Sequence, residues 1–298
     1  MRWQRGFSLI ELAIVLVIVT ILIGGLAMPL SAQIQARRIA ETNRTLGEAR
    51  EAIIGYAMSH TTTTCTCAYT SAGLDPATST CAPSLCPASP SEVSTTAIAT
   101  LTLQPRHYLP CPDLNDTDPE PNQDNDGVDG LTDLNNGVED RYKTGSNINR
   151  CTSPSGNLPW VTLATAAQDA WGNRLHYSLT DAATMYGNSS TGFSNSSTGN
   201  NQICTTSTGG CSTGTIASNA PVVLVSYGPN GWGARNVNGN TLAAPTSADE
   251  LENTDADTSF VSRAPTQPGV GGGEFDDLVV WISDGLLKSR VCPSGGCP

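Results

Sequence analysis

Residues 6–30 read GFSLIELAIVLVIVTILIGGLAMPL, and this run organises everything downstream of it. From Phe7 to Leu30 a single charge, Glu11, interrupts an otherwise apolar stretch, and about 20 apolar residues suffice to cross a bilayer as a helix. The stretch therefore predicts a transmembrane span over 7–30. Ahead of it stand Arg2 and Arg5 and no acidic residue, so the positive-inside rule keeps 1–6 in the cytoplasm and sends the rest of the chain across. A secretory signal peptide fits less well, since its apolar core is about 7 to 15 residues and ends at a small-residue cleavage site. Ala27-Met28-Pro29 matches such a site poorly. A plain signal anchor leaves Glu11 unexplained, because a carboxylate in hydrocarbon costs about 2.5 to 3.5 kcal/mol on insertion scales, less near a span's end. Such a residue calls for a partner.

Gly6-Phe7-Ser8-Leu9-Ile10-Glu11 resembles the prepilin processing motif of type IV pilins and of the pseudopilins of type II secretion. A short basic leader, Gly before an aromatic residue, Glu four positions after that aromatic, and an uninterrupted apolar run together carry the resemblance. It implies cleavage after Gly6 by a prepilin peptidase, methylation of the new amino group of Phe7, and an inner-membrane assembly platform with other pilin or pseudopilin subunits as partners. It also implies a role for Glu11, whose carboxylate would pair with the Phe7 amine of a neighbouring subunit. Two opposite charges at similar membrane depth relieve each other's desolvation cost.

Beyond the span, Ile39, Thr42, Leu46, Ala49, Ile53 and Ala57 step by three or four, the stripe of an amphipathic helix, with Arg37, Arg38, Glu41, Arg44, Glu48, Arg50 and Glu51 at other positions. Together with the span this predicts one helix over 7–59, amphipathic from 31 to 59, with Gly24, Gly25 and Pro29 marking a place where it can kink.

The remaining 60–298 reads as one extracytoplasmic head. Gly 29 and Pro 19 against 14% charged and 5% aromatic residues describe a loop-rich chain. Only Lys143 and Lys288 are lysines, the net charge is -12, and no basic cluster exists, which argues against nucleic acid as a partner. Ten cysteines with no C-x-x-C spacing exclude zinc ribbons and thioredoxin-type motifs and indicate disulfides in an oxidising compartment. Cys111 is expected to pair with Cys151, Cys292 with Cys297, and Cys204 with nearby Cys211, while Cys65 and Cys67 reach toward Cys81 and Cys86. Two stretches, 59–104 and 187–219, read as low-complexity insertions unable to bury a core. Strands are predicted at Arg174–Leu179, Pro221–Ser226, Leu278–Ser283 and Leu286–Val291, the last two as a hairpin about Asp284-Gly285. The fold class is α+β: a long helix carrying an antiparallel sheet with disulfide-pinned loops.

Asp169-Ala-Trp171-Gly172-Asn173 leading to Tyr177, Ser226-Tyr-Gly228-Pro-Asn230-Gly231, and Asp255-Ala-Asp257 followed by a final apolar strand are similar in order to the head of the major pseudopilin. Ala170 and Pro229-Asn230 depart from that pattern.

Two acidic loops have the composition of calcium sites. Asn122, Asp124, Asp126 and Asp133, with Gly127, place oxygens at loop positions 1, 3, 5 and 12 and glycine at 6. Asp249, Glu250, Glu252, Asp255 and Asp257 form the second cluster, at the place where the pseudopilin resemblance implies calcium. The signatures of zinc proteases and nucleotide-binding enzymes are missing: His60, His107 and His176 make no H-E-x-x-H, and there is no phosphate-binding glycine loop. The expected function is a structural subunit, minor or at the tip, because long insertions would crowd a dense lattice. The competing class is a signal-anchored periplasmic enzyme or ligand-binding protein.

Overall fold

The computed structural model describes residues 8–68, 100–114, 135–144, 147–180, 186–189, 192–212, 214–255, 257–292 and 297, without the side chains of 23–30, 62–68, 100–105 and 142–150. Helix α1 spans Leu9–Ser59, 51 residues, about 77 Å at roughly 1.5 Å per residue. Its backbone stays helical through Gly24, Gly25 and Pro29. It stops at His60, which is extended and donates its N–H to the Tyr56 carbonyl. The expected stripe is the buried one: Thr42, Leu46, Ala49, Ile53 and Ala57 are all at 0% exposure, joined by Ile54 and Tyr56, whereas Glu41, Arg44, Glu48 and Glu51 face solvent.

The head then runs β1 Thr61–Ala68, β2 Thr100–His107, β3 Arg141–Thr144, β4 Asn147–Cys151, β5 Ser155–Asn157, α2 Trp160–Leu163, β6 His176–Leu179, β7 Asn201–Cys204, β8 Thr215–Ala220, β9 Val222–Ser226, α3 Ala248–Glu252, β10 Ser259–Val261, β11 Leu278–Ile282 and α4 Asp284–Val291. The central sheet has the order β11-β9-β6-β5 and is antiparallel throughout. Its middle strand β9, VVLVS, is buried at every position. Because successive side chains point to opposite faces, this needs cover on both sides, and two apolar clusters provide it. Val222 and Leu224 pack with Tyr177, Leu179, Ile282 and the α1 residues Leu46, Ile53 and Ala57. Val223 and Val225 pack with Tyr227 and with Ile203, Ala220 and Phe260, the last three from a second sheet of order β10-β7-β8. Helix, sheet and small sheet thus form three layers. β1 pairs β2, and β3 pairs β4, as separate antiparallel ribbons.

Disulfides Cys111–Cys151, Cys204–Cys211 and Cys292–Cys297 are present. The side chains of Cys65 and Cys67, and all of Cys81 and Cys86, lie outside the described residues.

Three expectations are corrected. First, Leu286–Val291 is a helix and not the second arm of a hairpin. Ser283 caps it by accepting from the Leu286 N–H, Asp284 sits in its first turn and Lys288 and Arg290 in its last, and an i,i+4 pair joins Asp284 to Lys288 at 2.8 Å. Leu287 and Val291, four apart, are its buried face. Second, the 187–219 stretch does enter the core: Phe193, Ile203 and Cys204 are at 0% exposure, and the stretch supplies β7 and most of β8. Small polar residues there form the turns and hydrogen bonds, and a few apolar ones are enough to hold them down. Third, the head is not wholly antiparallel, since β10 pairs β7 in parallel.

Candidate functional site

At its N-terminus α1 opens with a capping box. The Ser8 N–H donates to Glu11 Oε2 at 2.9 Å and the Glu11 N–H donates to Ser8 Oγ at 3.3 Å. Glu11 therefore serves its own helix end while remaining exposed. Beyond it Leu9 is 89% and Ile10 69% exposed, and Leu12, Ile14, Val15, Leu16, Val17, Ile18, Val19, Ile21 and Leu22 are all exposed too. A continuous apolar surface of this kind on a folded chain marks a place where something else is meant to sit. Among the described residues no helix is long and apolar enough to cross a membrane. Phe7 and the side chains of 23–30, which complete the predicted span, lie outside them.

The lower half of α1 is fixed to the head by polar as well as apolar contacts. Tyr56 Oη donates to Glu139 Oε1 at 2.8 Å, and Glu139 Oε2 accepts from Arg141 Nη2 and from the Cys111 N–H, both at 2.9 Å. Burial, reinforced by the Glu139 charge, pushes the Tyr56 hydroxyl far above its ordinary range, so it stays a donor. The Ala170 N–H donates to Thr42 Oγ1. Asp169, within the Asp-Ala-Trp-Gly-Asn motif, accepts from the Trp171 and Asn173 N–H groups and from Ser226 Oγ. That motif and the 226–231 turn are thus joined through one buried carboxylate.

The second acidic cluster does not close on itself. Asp249 Oδ2 pairs with Arg263 Nε at 2.7 Å and its Oδ1 accepts from Ser207. Asp255 and Asp257 are exposed and cap local backbone, Asp257 accepting from the Ser259 N–H. Glu252 stands half-buried beside them. Glu250 is buried as Asp249 is, but it meets Asp276 and Asp277, with one oxygen from each of the three within 4.8 Å of the others. Glu250 is 1% and Asp277 4% exposed. Burial, with the Glu250 charge adding to it, holds Asp276 up at about 7. Burial also raises Glu250 and lifts Asp277 well above the usual carboxylate range. The first calcium loop, Asn122, Asp124, Asp126 and Asp133, lies outside the described residues.

Residues 1–27 match the family model of the prokaryotic N-terminal methylation motif. The chain carries a prepilin-type N-terminus. Neither the curated proteins nor the solved structures yield a match. The prepilin-type N-terminus covers Gly6, Phe7 and Glu11 and supports a type IV pilin-like or pseudopilin substrate of the prepilin peptidase. Of the three, only Glu11 belongs to the described residues, at the foot of the exposed helix. Sequence reasoning passed over Asp276 and Asp277. Their one signal is the placement of two adjacent carboxylates directly ahead of the apolar strand β11, where a solvated turn would suffice.

Proposed function

We propose that the chain is a non-enzymatic structural subunit of an extracytoplasmic filament, a type IV pilus or a type II secretion pseudopilus, and within it a minor or tip component. The prepilin peptidase cuts after Gly6. Segment 7–30 holds the subunit in the bacterial inner membrane with the head outside, and on assembly the same surface passes from lipid to neighbouring helices, both of which are apolar. The observation that supports this most is the exposed apolar surface of α1 from Leu9 to Leu22, continuous with the processing motif and left bare while the head covers the stripe from Thr42 to Ala57. Cutting creates an ammonium at Phe7, and Glu11 is the nearest carboxylate on the helix to receive its counterpart from a neighbour. The long stretches at 59–104 and 187–219 favour an end position over a crowded lattice.

The experiment is mass spectrometry of the amino terminus together with filament incorporation. The mature chain is expected to start at a methylated Phe7. Gly6→Val should leave the leader uncut and the protein in the membrane, while Glu11→Ala should be cut normally and incorporated poorly. Unaltered assembly by both variants would refute the proposal.

A further inference from the structure

We propose that Glu250, Asp276 and Asp277 bind a hard divalent cation, with calcium as the preferred ion, and that this ion clips α3 and the Gly228–Gly231 turn to the start of β11. Two oxygens on a shared ion at about 2.4 Å are at most about 4.8 Å apart, and the three carboxylates meet that limit.

Each carboxylate has one oxygen already used. Glu250 Oε1 accepts from Asn230 Nδ2 and from the Asp276 N–H, both at 3.1 Å. Asp276 Oδ2 accepts from the Asn230 N–H at 3.3 Å, and Asp277 Oδ2 from Asn253 Nδ2 at 2.8 Å. Glu250 Oε2 and Asp276 Oδ1, by contrast, are buried with no hydrogen-bond partner. A buried carboxylate oxygen without a donor is costly, and two such oxygens beside a third carboxylate call for a cation.

No side chain supplies it. Arg263 is the basic group nearest Glu250 in its electrostatics, but its Nε is on Asp249 and its other nitrogens are on Thr266 and the carbonyls of Gly272 and Gly273. Glu274 adds a further negative charge to Asp276 and Glu250. Among the described residues none of the three carboxylates has a salt-bridge partner. The donors are all oxygen, with no His or Cys, which selects calcium- or magnesium-like ions over zinc or copper. Calcium accepts six to eight oxygens in irregular geometry, so carboxylates fixed by neighbouring hydrogen bonds can serve it where magnesium asks for a regular octahedron.

Gly228 shows how tightly the turn is pressed onto this centre. Its φ is +59°, and an added Cβ would come within 2.3 Å of Asp276 Oδ1 and of the Asp276 carbonyl oxygen. The turn, the five-residue α3 and the start of β11 thus meet at the carboxylates, and none of them is long enough to be rigid alone. The centre takes only Glu250 from the five-residue acidic cluster where the pseudopilin resemblance implies calcium, adds Asp276 and Asp277, and leaves out the exposed Asp255 and Asp257.

The test uses the full chain in mild detergent at pH 7.5, stripped with a chelator and titrated with calcium chloride, reading affinity by calorimetry and the melting temperature by near-ultraviolet circular dichroism. Calcium is expected to bind and raise the melting temperature, and magnesium to do so less. Glu250→Gln with Asp276→Asn should weaken this binding at least tenfold and abolish the thermal shift, whereas Asp255→Asn with Asp257→Asn should leave both unchanged. Asp277→Asn alone, a milder change, should give an intermediate affinity and covers the case in which the double variant does not fold. A double variant that responds to calcium as the parent does would overturn the proposal. So would a parent that ignores calcium and is stabilised only by acidification, since protons would then be doing the neutralising. Processing at Gly6 is read at the other end of the chain, so its failure and the failure of this site are separable.

Discussion

Asp113 lies at 0% exposure between two segments it holds together. Its backbone exchanges hydrogen bonds with Asn157, at 2.9 and 2.7 Å, while its carboxylate accepts from the Gly137 N–H at 3.2 Å and from Asn157 Nδ2 at 3.3 Å. Burial outweighs these bonds and the more distant Arg174 and Arg235, and lifts the group from 3.8 to about 7. A carboxyl whose folded value lies above its unfolded one favours the folded state below the unfolded value and loses that advantage as pH rises through the folded one. Its contribution is therefore complete below about pH 4 and gone above about pH 7, with an upper bound of about 4 kcal/mol from a shift of this size. Asp113→Asn removes the charge and keeps an oxygen for the Gly137 N–H, and the Asn157 amide can flip to offer its own oxygen to the new amide. The variant should be at least as stable as the parent at pH 8, and the parent's gain in urea midpoint between pH 8 and pH 5 should shrink. An unchanged pH slope would show that this carboxyl does not titrate with folding.

At the scale of elements, α4 decides how Asp284-Gly285 is to be understood. In a two-residue hairpin Gly285 would carry a positive φ that only glycine tolerates well. In the structure its φ is not among the positive ones, and a Cβ added there meets nothing within 4 Å. Gly285→Ala should therefore stabilise the protein by about 0.4 to 1 kcal/mol, through a less flexible unfolded chain and a better helix former; a loss of stability in chemical denaturation would restore the hairpin. The dipeptide is a strong local signal, but Lys288 overrides it by donating to Asp284 within α4 and to the Asn195 and Ser197 carbonyls, partners on a segment some ninety residues away that no local pattern reveals. Elsewhere periodicity was enough. The 3-4 spacing from Ile39 to Ala57 located the buried face of α1, and the apolar run 222–225 located the strand β9. The 187–219 segment was illegible for the opposite reason, because its core anchors Phe193 and Ile203 are isolated among Ser, Thr, Asn and Gly and carry no period. The sites divide likewise. Glu11 stands out because it is a lone charge in an apolar run, whereas Glu250 and Asp276 are 26 positions apart and meet only in the folded head, where the Asp276 N–H donates to Glu250.

For the molecule as a whole, the two core clusters make a head held mainly by β9, and the disulfides secure what the strands leave loose. Their loops differ greatly in length, with sequence separations of 40 for Cys111–Cys151, 7 for Cys204–Cys211 and 5 for Cys292–Cys297. If a crosslink acts by restricting the unfolded chain, its contribution grows with the logarithm of the loop, about 4 kcal/mol for the first and roughly 2 for each of the others. Cys111 is also tied to the helix junction, its N–H donating to the Glu139 that accepts from Tyr56, so freeing this loop loosens the seat of α1 as well as the segment it encloses. Paired Cys→Ala replacements, measured by urea denaturation of the full chain in mild detergent, should rank in that order, with the Cys111/Cys151 variant losing about twice as much free energy as either of the others. Equal losses from all three would mean that local packing around the sulfurs, and not the entropy of the closed loop, sets their worth. A larger loss from Cys204/Cys211 than from Cys111/Cys151 would move the weak point of the head from the helix junction to the small sheet, where Cys204 packs with Val261 and Phe275.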